Sequence, residues 1–246
     1  MQESLEFSPH VGCPNNCKLC PQKQLMNAYK GNKVLGFADF VKMLSTVPRS
    51  IKIIFAGVSE PFLNPLFVKM CGYLDYKGYS FTIDSTLLNA TPRDIDELAE
   101  MQHLTDFVYH LPDAVNFRMP VNYPMETLKE LMNMIPSAKP VSLHKGFLSN
   151  LREVDASLKK YRGFGYCEAL HTPHFMVLPN GNVQLCCMDF RLEHTIGNLL
   201  EENYSEIRQR LTGTFKLCHT CSVYHSLLRH VYSEVRKKII RLEADV

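Results

Sequence analysis

Val11-Gly12-Cys13-Pro14-Asn15-Asn16-Cys17-Lys18-Leu19-Cys20-Pro21 places three cysteines in a C-x3-C-x2-C spacing just after Ser4-Leu5-Glu6-Phe7, a run that reads as a first hydrophobic strand. A [4Fe–4S] cluster takes a thiolate on each iron, so a tight triplet serves all but one of the irons and leaves that one open to another molecule. Structural zinc also binds cysteines, usually as two separated pairs that close four ligands around the metal. A triplet with no near fourth partner fits that plan poorly. The spacing therefore points to a cluster with one open iron, and zinc is the alternative.

Downstream the chain alternates. Residues 36–47 read as a helix and Ile51-Lys52-Ile53-Ile54-Phe55 as a buried strand bounded by Gly57. Helix 64–77, strand 79–83, helix 92–101 after Thr91-Pro92, strand 105–109, helix 124–135 and strand 140–143 follow. Strands separated by helices imply βαβ units and a parallel sheet. Such a run is too short for a closed eightfold barrel, which takes about 250 residues. The pattern predicts an α/β fold built on an open, partial (β/α)6 TIM-like barrel, with functional residues on loops at the C-terminal strand ends.

From about residue 163 the pattern changes. Phe175-Met-Val-Leu-Pro-Asn-Gly-Asn-Val-Gln-Leu185 holds two apolar runs around Pro-Asn-Gly-Asn, a hairpin signal. A helix near 201–211, then Cys218-His-Thr-Cys221 and a long C-terminal helix with Leu227, Val231, Val235 and Ile239 on one face complete a smaller α+β module. Residues 1–160 are thus expected to form the barrel domain and 161–246 the second domain.

Composition bounds the function. The chain has 246 residues, of which 46% are apolar, enough for a sizeable core. Its 27 basic and 25 acidic residues leave a formal charge of +2, with no electrostatic drive toward nucleic acid. The N-terminus lacks the layout of a signal peptide and no stretch has the length of a membrane span, so a cytoplasmic protein is expected. Nine cysteines in a reducing compartment point to metal or redox chemistry rather than disulfides.

The triplet after a first strand resembles the radical S-adenosylmethionine (SAM) superfamily. That resemblance implies a cluster on Cys13, Cys17 and Cys20 whose open iron is chelated by the amino and carboxylate groups of SAM. It also implies cleavage of SAM to a 5′-deoxyadenosyl radical that takes a hydrogen atom from a substrate, with a one-electron donor such as flavodoxin or ferredoxin. Gly57-Val-Ser59-Glu60-Pro61 resembles the family's G-x-G-E-P element, whose backbone meets the SAM amino group, with Ser59 in place of the second glycine. Asp84 and Ser85 stand where relatives carry Asn and Gly in T-N-G-T-L-L, and Leu19 stands where an aromatic residue often meets adenine. By this resemblance Gly57, Ser59, Glu60, Asp84, Ser85 and Leu19 are the expected cofactor-binding residues.

The remaining cysteines divide clearly. Cys167, Cys186, Cys187, Cys218 and Cys221 lie in the second module, while Cys71 stands alone at helical spacing with Phe67, Met70 and Leu74, on an expected buried face. The hairpin, Cys186-Cys187 and the C-x2-C pair over residues 163–222 resemble the twitch domain, a short form of the SPASM auxiliary-cluster domain. The resemblance implies Cys167, Cys186, Cys218 and Cys221 as ligands of a second [4Fe–4S] cluster with no open iron; structural zinc is again the alternative. Cys187 either replaces Cys186, donates a hydrogen atom to a substrate radical, or packs.

His110 ends the fourth predicted strand beside Tyr109, and His144 and Lys145 follow the fifth. Arg152 lies in Ser149-Asn150-Leu151-Arg152, where its planar fork suits a hydroxyl, carboxylate or phosphate, and Asp189 either meets substrate or caps a turn. Cys187, His110, Arg152 and Asp189 are the expected catalytic residues. The layout is similar to that of the compact 2-deoxy-scyllo-inosamine dehydrogenases, which implies oxidation of a small hydroxylated substrate to a ketone. A redox-neutral sugar epimerase or dehydratase and a peptide-modifying maturase are the alternatives; a two-zinc adaptor is the non-enzymatic one.

Overall fold

The computed structural model describes residues 2–15, 17, 20–56, 59–111, 124–141, 165–167, 172–212, 215, 218 and 225–226. Leu19, Gly57, His144, Lys145, Arg152, Cys221 and the expected C-terminal helix lie outside the described residues.

An eight-stranded sheet organises the chain. Strands β1 (Ser4–Phe7), β2 (Lys52–Phe55), β3 (Phe81–Ser85), β4 (Leu104–His110) and β5 (Lys139–Val141) pair in parallel, each with the next. Helices α2 (Phe37–Leu44), α3 (Phe67–Lys77), α4 (Pro92–Ala99) and α5 (Met125–Met134) alternate with them, while α1 (Gln22–Ala28) follows the cysteine loop. Among the described residues the sheet does not close, so the architecture is the open, partial barrel that the alternation predicts.

On the other side of β1 the sheet continues. After the short β6 (Gly165–Tyr166), β7 (His174–Val177) pairs in parallel with β1, and β8 (Asn182–Gln184) and β9 (Thr195–Asn198) extend it antiparallel. The hairpin is in place, with Val177 opposite Val183. Helix α6 (Tyr204–Gln209) follows, and β10 (His225–Ser226) pairs with β6. The expected second module thus shares the sheet of the first.

Local chemistry sets the boundaries. Thr91 and Asp94 form a reciprocal capping box that starts α4, with Pro92 at its first turn. Gly78, at φ 75°, closes α3 in the left-handed conformation. Tyr79 then sits outside the third strand, which begins at Phe81 rather than at the expected position, because Tyr79 N donates to Leu74 O at 3.0 Å as part of the helix cap. The expected helix from residue 64 starts at Phe67, since Asn64 is engaged elsewhere: its side chain accepts from Leu66 N and donates to Pro9 O and Leu35 O.

Strand parity separates the core from the site. Leu5, Phe7, Ile53, Phe55, Phe81 and Ile83 are fully buried under the helices, where Phe7 meets Phe40 edge-on at 5.3 Å and Phe55 meets Phe67 at 5.0 Å. Cys71 joins this core as expected. The opposite parity carries Ser4, Glu6, Thr82 and Asp84, polar residues that face the concave side. Among the described residues no helix is long and apolar enough to cross a membrane.

Candidate functional site

Cys13, Cys17 and Cys20 line one cavity of about 210 Å³ at the C-terminal end of β1. Their loop is anchored at both sides: Val11 N donates to Lys33 O at 2.7 Å, Cys20 N donates to Cys17 O at 3.1 Å, and Asn15 Nδ2 donates to Thr86 Oγ1 at 2.9 Å. Burial pushes the Cys13 thiol up to about 12, and it also raises Cys20. Thiolates persist in so dry a place only with a cationic centre to hold them. Asn15 Oδ1 and Ser59 Oγ are buried in the same cavity without a hydrogen-bond partner, positions that a polar ligand would satisfy. The donor set fits a three-thiolate cluster with a polar molecule beside it.

Glu60 ties the strand ends together. Its side chain is fully buried; Oε1 accepts from Ser85 Oγ at 2.6 Å and Phe62 N at 3.3 Å, and Oε2 accepts from Thr86 N at 2.7 Å and Thr86 Oγ1 at 2.5 Å. Burial raises its carboxyl from the ordinary value while these donors pull it back. Ser85 Oγ also accepts from Leu87 N at 2.7 Å, which steadies Leu87 at φ 61°. Glu60 and Ser85, expected at SAM, are thus joined to each other. Ser59 is not among the described residues with left-handed backbone, so its replacement of glycine brings no strain.

The cavity floor is acidic. Glu6 Oε2 accepts from His174 Nε2 at 2.8 Å, and His174 Nδ1 lies 2.6 Å from Ser4 Oγ, because β1 and β7 set Ser4 opposite His174. Burial pushes His174 down, but Glu6 and Asp84 outweigh it and hold the imidazole above its ordinary value. Burial and the nearby Glu6 and Asp106 carboxylates push Asp84 up to about 6. His110 lines the same cavity, and burial lowers it to about 4, so its ring is neutral at neutral pH. Asp84 and His110 are where the sequence places them. Glu6 and Asn15 line the cavity and His174 is bonded to Glu6, three placements that sequence reasoning missed; the one available signal was a carboxylate inside the apolar first strand.

The turn after β8 brings Cys187 to the cavity that the first cysteine set lines. Phe190 is buried with Val11, Leu25, Tyr29 and Leu178, so this turn packs on the cysteine loop and α1, and Cys187 and Met188 reach the cavity. Asp189 is buried, and its carboxylate accepts from Glu193 N at 3.1 Å and His194 N at 2.7 Å. It holds this turn and does not line the cavity. Cys167 lies close enough to Cys218 to help raise its thiol, with burial the larger cause. Among the described residues no disulfide joins any cysteine.

Residues 167–222 match the SPASM family, described as an iron-sulfur cluster-binding domain. No curated protein matches the chain. Among solved structures it is similar to BtrN in complex with AdoMet and 2-DOIA, at 17% identity and a TM-score of 0.67, over 84% of this chain and 82% of that one. It is also similar to anSMEcpe with bound AdoMet, at 12% identity and a TM-score of 0.56, over 90% of this chain and 85% of that one. A third is Streptococcus suis SuiB bound to precursor peptide SuiA, at 10% identity and a TM-score of 0.54, over 91% of this chain and 70% of that one. At these identities the likeness is one of fold. The chain has the fold of radical SAM enzymes, and its residues 167–222 match the iron–sulfur cluster-binding SPASM domain.

Proposed function

We propose that the chain is a radical SAM enzyme of the cytoplasm that oxidises a small hydroxylated substrate, a sugar, an aminocyclitol or a nucleotide-linked sugar, to a ketone. The observation that carries this reading is a single cavity joining the thiols of Cys13, Cys17 and Cys20 to the carboxylates of Glu6 and Asp84. With SAM and two [4Fe–4S] clusters bound, the cofactors supply hydrogen abstraction and an electron sink. Cys13, Cys17 and Cys20 would hold one cluster, and Cys167, Cys186, Cys218 and Cys221 the other, a set that the SPASM match supports.

The chain's own groups do the rest. Asn15 Oδ1 and Ser59 Oγ offer hydrogen bonds to a polar ligand in the cavity. Asp84, with its carboxyl at about 6, exchanges a proton near neutral pH and is suited to take one from a substrate hydroxyl. Neutral His110 offers a further polar contact in the wall, and Arg152 is assigned to substrate positioning on its sequence place alone. A flavodoxin or ferredoxin is the proposed electron donor.

A second reading is favoured by one observation. Cys187 lines the cavity beside the cluster cysteines, where a thiol returning a hydrogen atom would make the reaction a redox-neutral epimerisation. The test is anaerobic turnover of the reconstituted protein with SAM, a reductant and a panel of hydroxylated sugars and aminocyclitols in deuterated water. Oxidation predicts ketone equimolar with consumed SAM and no solvent deuterium in the carbon skeleton; deuterium at an inverted carbon selects the Cys187 route. SAM turnover with a peptide but with none of the panel would overturn both.

A further inference from the structure

We propose that Glu6, His174 and Cys187 form a site for a divalent cation of borderline softness, zinc in the first instance. One ligand atom from each residue lies within 4.8 Å of the other two. Carboxylate oxygen, imidazole nitrogen and thiolate sulfur are the donor types zinc takes, and three protein ligands with one open position are the usual plan of a zinc site that binds a further molecule.

The three come from separate, well-fixed elements. Glu6 is buried on central strand β1, and His174 opens β7 at a register that sets it against Ser4. Cys187 sits on the turn that buried Asp189 and Phe190 hold against the cysteine loop. Ser4 Oγ, 2.6 Å from His174 Nδ1, fixes the ring so that Nε2 points at Glu6. A hydrogen bond on the second ring nitrogen is the support that metal-binding histidines almost always have. Asp84 adds negative charge close by, since it is coupled to both Glu6 and His174. Tetrahedral coordination sets donor atoms about 3.3–3.7 Å apart, so a cation replaces the proton in the 2.8 Å Glu6–His174 contact and opens it slightly, while the half-buried Cys187 turn closes in.

The site differs from either cluster set. It uses neither the C-x3-C-x2-C triplet nor the cysteines assigned to the auxiliary cluster, and it accounts for Cys187, which those sets leave over. Glu6 and Cys187 both line the cavity, so a cation between them stands in its wall and takes an oxygen or nitrogen ligand from a small molecule inside. A thiolate held by a cation cannot return a hydrogen atom, so occupancy of this site also argues against the redox-neutral reading.

The experiment uses the protein reconstituted anaerobically with iron and sulfide, equilibrated with zinc sulfate against a competing chelator, desalted, and assayed for zinc, iron and sulfide. The expected result is about one zinc per chain beside an intact iron content, with affinity at least about tenfold weaker in Cys187→Ala and in His174→Ala and a smaller loss in Ser4→Ala. Iron and sulfide stay unchanged in all three. Wild-type protein that retains no zinc, variants that retain as much as wild type, or a Cys187→Ala protein that loses iron in parallel with zinc each overturn the assignment. Glu6→Gln, isosteric and short of one acceptor oxygen, gives a further reading should a histidine or cysteine variant fail to fold.

Discussion

Replacing Glu60 by alanine removes the acceptor on which the Ser85 hydroxyl, the Thr86 N–H and hydroxyl, and the Phe62 N–H converge. Glu60 is fully buried, so water does not take over, and each abandoned buried donor costs about 1–3 kcal/mol. The hydroxyls can partly turn: Ser85 Oγ and Thr86 Oγ1 already accept from Leu87 N and Asn15 Nδ2. The Thr86 N–H has no such freedom. With the Phe62 bond long and weak, the expected loss is about 4 kcal/mol, a large part of the roughly 5–15 kcal/mol available to a domain. Glu60→Gln is milder. Its amide nitrogen can replace Oε1 and donate to Ser85 Oγ, keeping the carbonyl for Thr86 and losing the weak Phe62 bond, so about 2 kcal/mol is expected from that loss and from exchanging charged for neutral bonds.

The assay is equilibrium denaturant unfolding of the reduced, metal-free protein. Iron uptake on reconstitution is measured alongside it, because Thr86 holds Asn15 and thereby the cysteine loop. The order wild type, Gln, Ala should appear in both readouts. An alanine variant within about 0.5 kcal/mol of wild type, the range of an ordinary surface substitution, would refute the reasoning, as would a Gln variant no better than Ala.

Two further outcomes follow from particular contacts. Gly181 stands at φ 84° in the β7–β8 turn, and a Cβ there would lie 2.8 Å from Leu200 Cγ, so Gly181→Ala should cost at least about 2 kcal/mol in an unfolding titration. Asp84 has a folded pKa of about 6, above its ordinary 3.8, so the folded state holds its proton more tightly than the unfolded chain does. Its contribution favours folding at low pH and is lost as pH rises through about 4–6; removing it in Asp84→Asn should stabilise the metal-free protein by about 2 kcal/mol at pH 8 and by little at pH 4. Unfolding titrations at the two pH values check this, and an equal effect at both would contradict it.

The fold was legible where local rules govern. The alternation through Ile51–Phe55, the Thr91-Pro92 start of α4 and the Pro179-Asn180-Gly181-Asn182 turn each carry their own signal, and the elements are there. The cysteine triplet marked its own loop, and Asp84 and His110 were readable as strand ends facing the barrel mouth. What escaped was non-local. Nothing within β7 announces that it pairs with β1, some 170 residues away, and only that register sets His174 against Ser4 and Glu6. Glu60 and Ser85 read as ligand contacts because their residue types match a binding element. Their mutual hydrogen bond depends on two strand ends that the sequence does not show to be adjacent. Asp189 is a similar case: only the folded turn reveals that its carboxylate caps the N–H groups of Glu193 and His194.

Counting clusters tests the account most directly. The protein is purified and reconstituted anaerobically beside a Cys218→Ala, Cys221→Ala double variant, with iron, sulfide, zinc and SAM cleavage measured on both. Wild type should hold about eight irons and eight sulfides per chain and the variant about half, with SAM cleavage retained in the variant and net substrate oxidation lost. A colourless wild type that holds zinc in place of iron and sulfide would contradict the central claim, as would a wild type with only a single cluster that the variant keeps.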